Sequence, residues 1–355
     1  MIIDTHTHIF EEADGYQFTY QLTSYKDGKV WLDKVAGFEN LPCVLEYRER
    51  YPVRPLYTSP AQEADASWGR EAGRLWSQWL PENYSNSNSP PELFIEHMDQ
   101  AGVDKTVLLQ APCYKWPDMN QYLATIVNRY PDRFVASSQI DASGGQDQID
   151  KLIYSVTELG LSCLKIEMSD HCGLPLLELR GPFHLDDPKR DILWRTCVEL
   201  NIPVVLDIDF YGDPPPQARE IRNVCERFPD MVFIFCHNAR WGMGHPDVMQ
   251  LALDFNIWIE LDFANAWETS KKANRFDPEA HLSVFRTLYD AVGADRMLWA
   301  TDSPWAFTYA SYSESMGFVQ NSSFMSDTEK AKILGENGNK VFFERVGPSM
   351  RSNLK

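Results

Sequence analysis

Short apolar runs recur along the chain, and most are separated by stretches with helical character. The runs are Met1–Thr5, Lys105–Gln110, Phe134–Ile140, Cys163–Glu167, Pro203–Asp207, Val232–Cys236, Ile257–Leu261 and Met297–Thr301. Between them the sequence predicts helices over Glu92–Ala101, Gln146–Leu159, Ile192–Leu200, Ala218–Phe228 and His281–Val292. Short runs rich in Val, Ile and Leu that alternate with helices fit a parallel sheet covered on both faces. Eight of them predict an α/β fold of the closed (β/α)8 TIM-barrel type. An open, doubly wound sheet would be signalled by a GxGxxG turn after an early strand, and the sequence has none. Barrels of this length commonly form one unit, so a single domain over residues 1–355 is expected.

Residues 10–91 break the alternation with a stretch rich in Tyr, Trp, Pro and charge. In a barrel this insertion leaves the C-terminal end of strand 1, the face where active sites form. It is therefore expected to cap the site, with NYSNSNSPP at 83–91 as its exit. Near the C-terminus Ser326 and Glu329 have capping-box spacing for a last helix, expected to end near Gly335.

Composition narrows the function. The formal net charge of −18 would repel phosphates, which argues against a nucleic-acid partner. Seven cysteines lie scattered without CxxC spacing, unlike a disulfide framework or a zinc ribbon. Neither a signal peptide nor a membrane-length apolar run is visible, so a cytoplasmic protein with a small-molecule substrate is expected.

His6 and His8 stand two apart on the first predicted strand and so share one face. His237 ends the apolar run VFIFC, and Asp302 ends MLWAT. Polar groups at the same end of different strands converge in a closed barrel. The motifs DTHTH, His237 after strand 6 and TDSPW around Asp302 resemble the amidohydrolase superfamily. MDQAGVDKTVLL and ENGNKVFF resemble, more narrowly, the branch with aminocarboxymuconate semialdehyde decarboxylase and resorcylate-type decarboxylases. The resemblance implies that His6, His8 and Asp302 ligate a divalent metal. It also implies that His237 is the general acid/base acting on water at the metal, within ligand reach of it. Homodimers are common in that family.

Two positions depart from the pattern. Where the branch carries a histidine on strand 5, this chain has Asp207, with Asp209 facing the same side. Asp207 is expected to ligate the ion, favouring Zn, Mn or Fe, the alternative being a hydrogen-bonding role. On strand 4, Lys165 and Glu167 share a face, and Glu167 could bridge two ions; otherwise the two form a buried pair or bind a substrate carboxylate. The expected metal set is thus His6, His8, Glu167, Asp207, His237 and Asp302, holding one or two ions. Lys165, Arg240, Trp241 and Trp305 are candidate substrate contacts, and Asp262 a supporting acid. The set points first to metal-assisted hydrolysis of an amide, ester, lactone or ring substrate. Non-oxidative decarboxylation is the alternative, and oxygen chemistry at two irons is a third.

Overall fold

The structure, a computed structural model, describes residues 1–9, 20–21, 24–26, 29–31, 34–35, 91–110, 119–168, 182–262, 278–303 and 312–345. Eight parallel strands follow one another around the sheet in sequence order. They are β1 (Ile3–Thr7), β2 (Lys105–Leu108), β3 (Phe134–Ser138), β4 (Cys163–Met168), β5 (Val204–Ile208), β6 (Phe233–Phe235), β7 (Ile257–Leu261) and β8 (Met297–Trp299). A parallel bridge between Thr7 and Ser303 closes the ring, making a TIM barrel. The expected helices form as α1 (Pro91–Ala101), α3 (Gln146–Thr157), α4 (Asp191–Glu199), α5 (Pro216–Arg227) and α7 (Pro278–Val292). The structure adds α2 (Met119–Arg129), α6 (Pro246–Asp254) and α8 (Tyr312–Gln320), which complete the βα alternation. The expected cap lies almost wholly outside the described residues. Within it, Tyr20–Gln21 pairs with Lys34–Val35 and Ser24–Lys26 with Lys29–Trp31, both antiparallel.

Strand periodicity divides the side chains into an outer and an inner set. The outer set packs under the helices, as Leu164, Leu206, Phe235 and Ile259 do. The inner set begins at the floor with Val107, Val135, Cys163, Val205, Ile234, Trp258 and Leu298, which cluster with Val341 and Phe342. The last two belong to the C-terminal helical segment, which plugs the bottom of the barrel. That segment starts at α9 (Asp327–Ala331) with the expected capping box between Ser326 and Glu329. It does not stop at Gly335: wider π-type turns carry it through Lys332–Glu336 and Asn339–Phe343. Glycine is needed at 335 for another reason, since a Cβ there would collide with the carbonyl oxygen of Met1. Asn337 anchors the plug by donating to the carbonyls of Ala294 and Met297, both at 2.8 Å.

The seam between the first and last strands rests on Asp4. Its carboxylate accepts from the Thr301 hydroxyl at 2.6 Å, the Thr301 amide at 3.0 Å and the His6 amide at 3.2 Å. Burial raises the Asp4 carboxyl to about 7 against the lowering effect of these bonds. Asp4→Ala would orphan buried donors on both strands, each costing about 1–3 kcal/mol. Guanidinium unfolding is expected to show a loss of about 3 kcal/mol. A loss below about 1 kcal/mol would mean that the seam does not depend on this clasp.

Candidate active site

Two residues above the apolar floor, the inner set turns ionisable: Lys165, Asp207, Cys236 and Glu260 follow Cys163, Val205, Ile234 and Trp258 at spacing two. One layer higher stand Glu167, Asp209, Asp262 and Asp302. Asp207, Cys236, Glu260 and Asp262 are buried, so each of these polar groups must find partners inside the barrel mouth.

His6 and His8 rise from the end of β1, both nearly inaccessible to solvent. His8 Nδ1 lies 2.9 Å from the carbonyl oxygen of Leu109. A carbonyl only accepts, so the His8 proton sits on Nδ1 and Nε2 carries a lone pair. Burial holds the His8 ring below its ordinary value and therefore neutral, against the raising effect of Asp302. His6 Nδ1 lies 2.7 Å from Glu260 Oε2. Burial disfavours charge on both partners, holding His6 well down and Glu260 well up. Without a cation, burial favours the neutral acid of Glu260. A cation at Nε2 requires the His6 proton on Nδ1 and Glu260 ionised to accept it, which leaves the second Nε2 bare. The two Nε2 atoms face each other at 3.2 Å, with Asp302 Oδ1 at 3.1 Å from His8 and 3.6 Å from His6. Three acceptor lone pairs converging at such distances repel one another and fit a divalent cation, which a borderline N/O donor set of this kind binds. Asp302 reaches the spot from a left-handed backbone (φ 59°), a conformation rare outside glycine and concentrated at functional sites.

His237 stands beside this pocket and, with His6 and Asp302, forms a donor group whose atoms lie within 4.8 Å of one another. Its hydrogen bonds set it apart from the β1 pair. Nδ1 meets Asp262 Oδ2 at 2.7 Å and Nε2 meets Asp207 Oδ2 at 3.3 Å. Carboxylates on both nitrogens favour a proton on both. Burial works against that charge, but Asp262 and Asp207 outweigh it and raise His237 well above its ordinary value.

His237 opens a short 3₁₀ turn (His237–Gly242) in which His237, Asn238, Ala239 and Arg240 all have positive φ, from 40° to 57°. Each non-glycine residue held there costs about 1–3 kcal/mol, so the surroundings must enforce the path. Asn238 is the visible anchor: its amide donates to Asp262 O at 3.0 Å and its Oδ1 accepts from Asp262 N at 3.2 Å. The turn throws Arg240 back over β5, where the guanidinium grips Asp207 in a fork of 2.6 and 2.9 Å and approaches Asp209 at 3.6 Å. Asp207 is buried, which alone would raise it, but Arg240, His237 and Lys165 hold it well below the usual carboxylate range.

Of the expected set, then, the structure brings His6, His8, His237 and Asp302 to one pocket. Asp207 engages Arg240 and His237. Glu167 lies 4.0 Å and Asp207 3.9 Å from Lys165 Nζ, which also donates to Cys236 Sγ at 3.3 Å. Burial opposes the charge on Lys165, and Cys236, Asp207 and Glu167 more than offset it. Glu167, Asp207 and His8 all fall outside the two donor groups found among the described residues, but His8 Nε2 lies 3.2 Å from His6 Nε2 and 3.1 Å from Asp302 Oδ1. Trp241 follows in the same turn as Arg240, and Trp305 lies outside the described residues.

Residues 3–343 match the family described as amidohydrolase. The chain belongs to that family. Among solved structures, this amidohydrolase is similar in fold to a 4-oxalomesaconate hydratase from Rhodopseudomonas palustris. The two share 16% identity over 99% of this chain and 98% of that one, with a TM-score of 0.57. A probable 2-pyrone-4,6-dicarboxylic acid hydrolase from Acinetobacter baumannii, with citric acid bound, matches at 15% identity. It covers 96% of this chain and 98% of its own, with a TM-score of 0.56. A dihydroxybenzoic acid decarboxylase from Polaromonas, solved with manganese and the inhibitor 2-nitroresorcinol, matches at 16% identity. It covers 75% of this chain and 91% of its own, with a TM-score of 0.54. At such identities the likeness is one of fold.

Sequence reasoning passed over two residues of this amidohydrolase's site, Glu260 and Asn238. Glu260 was detectable: in IWIELD an acid interrupts an apolar strand at the inner parity, two residues before Asp262. Asn238 had no such signal, because its use depends on the left-handed turn.

Proposed function

We propose that this amidohydrolase holds one divalent cation on His6, His8 and Asp302 and hydrolyses a small carbonyl-containing substrate, with His237 as proton carrier. The observation that carries the reading is the convergence of two histidine Nε2 atoms and Asp302 Oδ1 within 3.1 to 3.6 Å of one another. A divalent ion held by His6, His8 and Asp302 would supply Lewis acidity and make water there more acidic, with its proton passing to solvent. The chain's own part is proton delivery. Asp262 fixes the His237 ring through Nδ1, and Asp207 keeps the Nε2 proton in place until a leaving group takes it. Arg240 holds Asp207 in position and keeps it too weak a base to capture that proton itself.

The support for one ion rather than two is electrostatic. The carboxylates that would hold a second cation, Glu167 and Asp207, already face the ammonium of Lys165 and the guanidinium of Arg240. Two side-chain cations facing those carboxylates support one ion and weigh against the two-iron oxygenase reading. Metal analysis of purified protein is expected to give one equivalent of Zn, Mn or Fe per chain, and Asp207→Asn to keep it. Two equivalents, or loss of metal in Asp207→Asn, would overturn the single-ion reading. A metal-free protein that takes up none would overturn the metal reading altogether.

A charged His237 also suits decarboxylation, in which the carbon that loses carbon dioxide must be protonated. A panel of lactones, amides and dihydroxybenzoates separates the two. Ring opening or amide cleavage without gas release is the expected result. Carbon dioxide from a dihydroxybenzoate, with no hydrolysis of the others, reverses the assignment.

A further inference from the structure

We infer that Glu260 is a positioning residue that selects which nitrogen of His6 faces the cation pocket, and so sets the site's affinity for metal; the inference rests on the metal reading above. Glu260 sits in the middle of β7, fully buried in the otherwise apolar run IWIEL. A carboxyl group at such a place is costly unless its neighbours answer it. Its shortest contact is to His6 Nδ1, at 2.7 Å, and its other oxygen accepts from Thr5 Oγ1 at a long 3.4 Å.

The geometry gives that contact a purpose. The two ring nitrogens of an imidazole point to opposite sides, so a carboxylate that accepts from Nδ1 turns Nε2 away from itself, here toward His8 and Asp302. His8 receives the same treatment from the backbone carbonyl of Leu109. One ligand ring is therefore oriented by main chain and the other by a single side chain. Groups in this position typically change metal affinity 10- to 100-fold when removed, by about one to two decades.

A rival arrangement is present in the same atoms. His6, Cys236 and Glu260 also form a group with donor atoms within 4.8 Å of one another, so a cation could take the Nδ1 face instead. Lys165 Nζ, 3.3 Å from Cys236 Sγ, places a positive charge against that position. The Nε2 face instead looks toward the Asp302 carboxylate, whose Oδ1 lies 3.6 Å away.

The test compares wild type, Glu260→Gln and Glu260→Leu. Zinc titration against a competing chelator is expected to show about 10- to 100-fold weaker binding in Glu260→Leu. Glu260→Gln should fall between, because its amide oxygen still accepts at the same reach. That graded order separates positioning from mere loss of fold, which thermal melts monitor in parallel. A second measurement needs no variant at 260: in ¹⁵N-histidine protein loaded with ¹¹³Cd, the His6 coupling, assigned by its loss in His6→Ala, is expected on Nε2 with a proton on Nδ1. Coupling through Nδ1, or a folded Glu260→Leu with unchanged zinc affinity, overturns this inference alone. A wild-type protein that binds neither ion overturns the metal reading with it.

Discussion

His8→Ala is expected to leave a folded barrel without its metal and with activity reduced about a thousandfold or more, the scale of several kcal/mol of lost Lewis-acid stabilisation. The expectation follows from the donor arithmetic. His8 Nε2 is 3.2 Å from His6 Nε2 and 3.1 Å from Asp302 Oδ1, so removing it takes away one of three converging lone pairs. A methyl group keeps the strand end packed, and circular dichroism should match wild type. Plasma emission analysis of the purified variant decides the matter. A full equivalent of metal retained in His8→Ala would place the ion elsewhere in the mouth.

The second large effect belongs to His237. His237→Asn should keep the metal and lose about 10²- to 10⁴-fold in turnover, the usual worth of a positioned proton donor. Its pH dependence carries the sign of the role. Asp262 and Asp207 raise His237 against burial, so the acid form is present at neutral pH and disappears as pH rises through the raised value. Wild-type turnover should therefore have an alkaline limb that His237→Asn lacks. In Asp207→Asn the limb should move to lower pH, because one of the two raising carboxylates is gone. An unmoved limb in Asp207→Asn would show that Asp207 does not govern the proton on His237. Loss of metal in His237→Asn would make His237 a ligand rather than a proton carrier.

What could be read from the sequence was whatever period and position encode. Eight apolar runs, seven of them recurring after the long insertion, define the barrel, and the parity within each run separates Val205 at the floor from Asp207 above it. His6, His8, His237 and Asp302 were visible because each closes or follows such a run. Pairing between distant segments was not visible. Asp207 looked available to a metal because its partner Arg240 is 33 residues away and reaches it only through a turn with four left-handed residues. Glu167 was open to more than one reading, a bridge between ions and a buried pair with Lys165 among them. The folded strand puts the two 4.0 Å apart, where burial opposes the lysine's charge and Cys236, Asp207 and Glu167 more than offset it. Helices α2, α6 and α8 were not among those expected, although α2 and α6 are as amphipathic as α1, which was. The C-terminal helix continued past Gly335 because that glycine answers a close approach to Met1, and close approach leaves no local signature.

The seam beside Asp4 also orders events in time. The pocket draws its donors from the two ends of the barrel, with His8 and Asp302 separated by 294 in sequence number. In chain order His6 and His8 precede Asp302 by nearly the whole barrel, so the third partner arrives only with the last strand. Until then the nascent protein offers a metal a bare HxH pair, a far weaker trap than the finished triad. On the metal reading proposed above, loading would wait for the last strand, and a chain that lacks it would keep only the HxH pair.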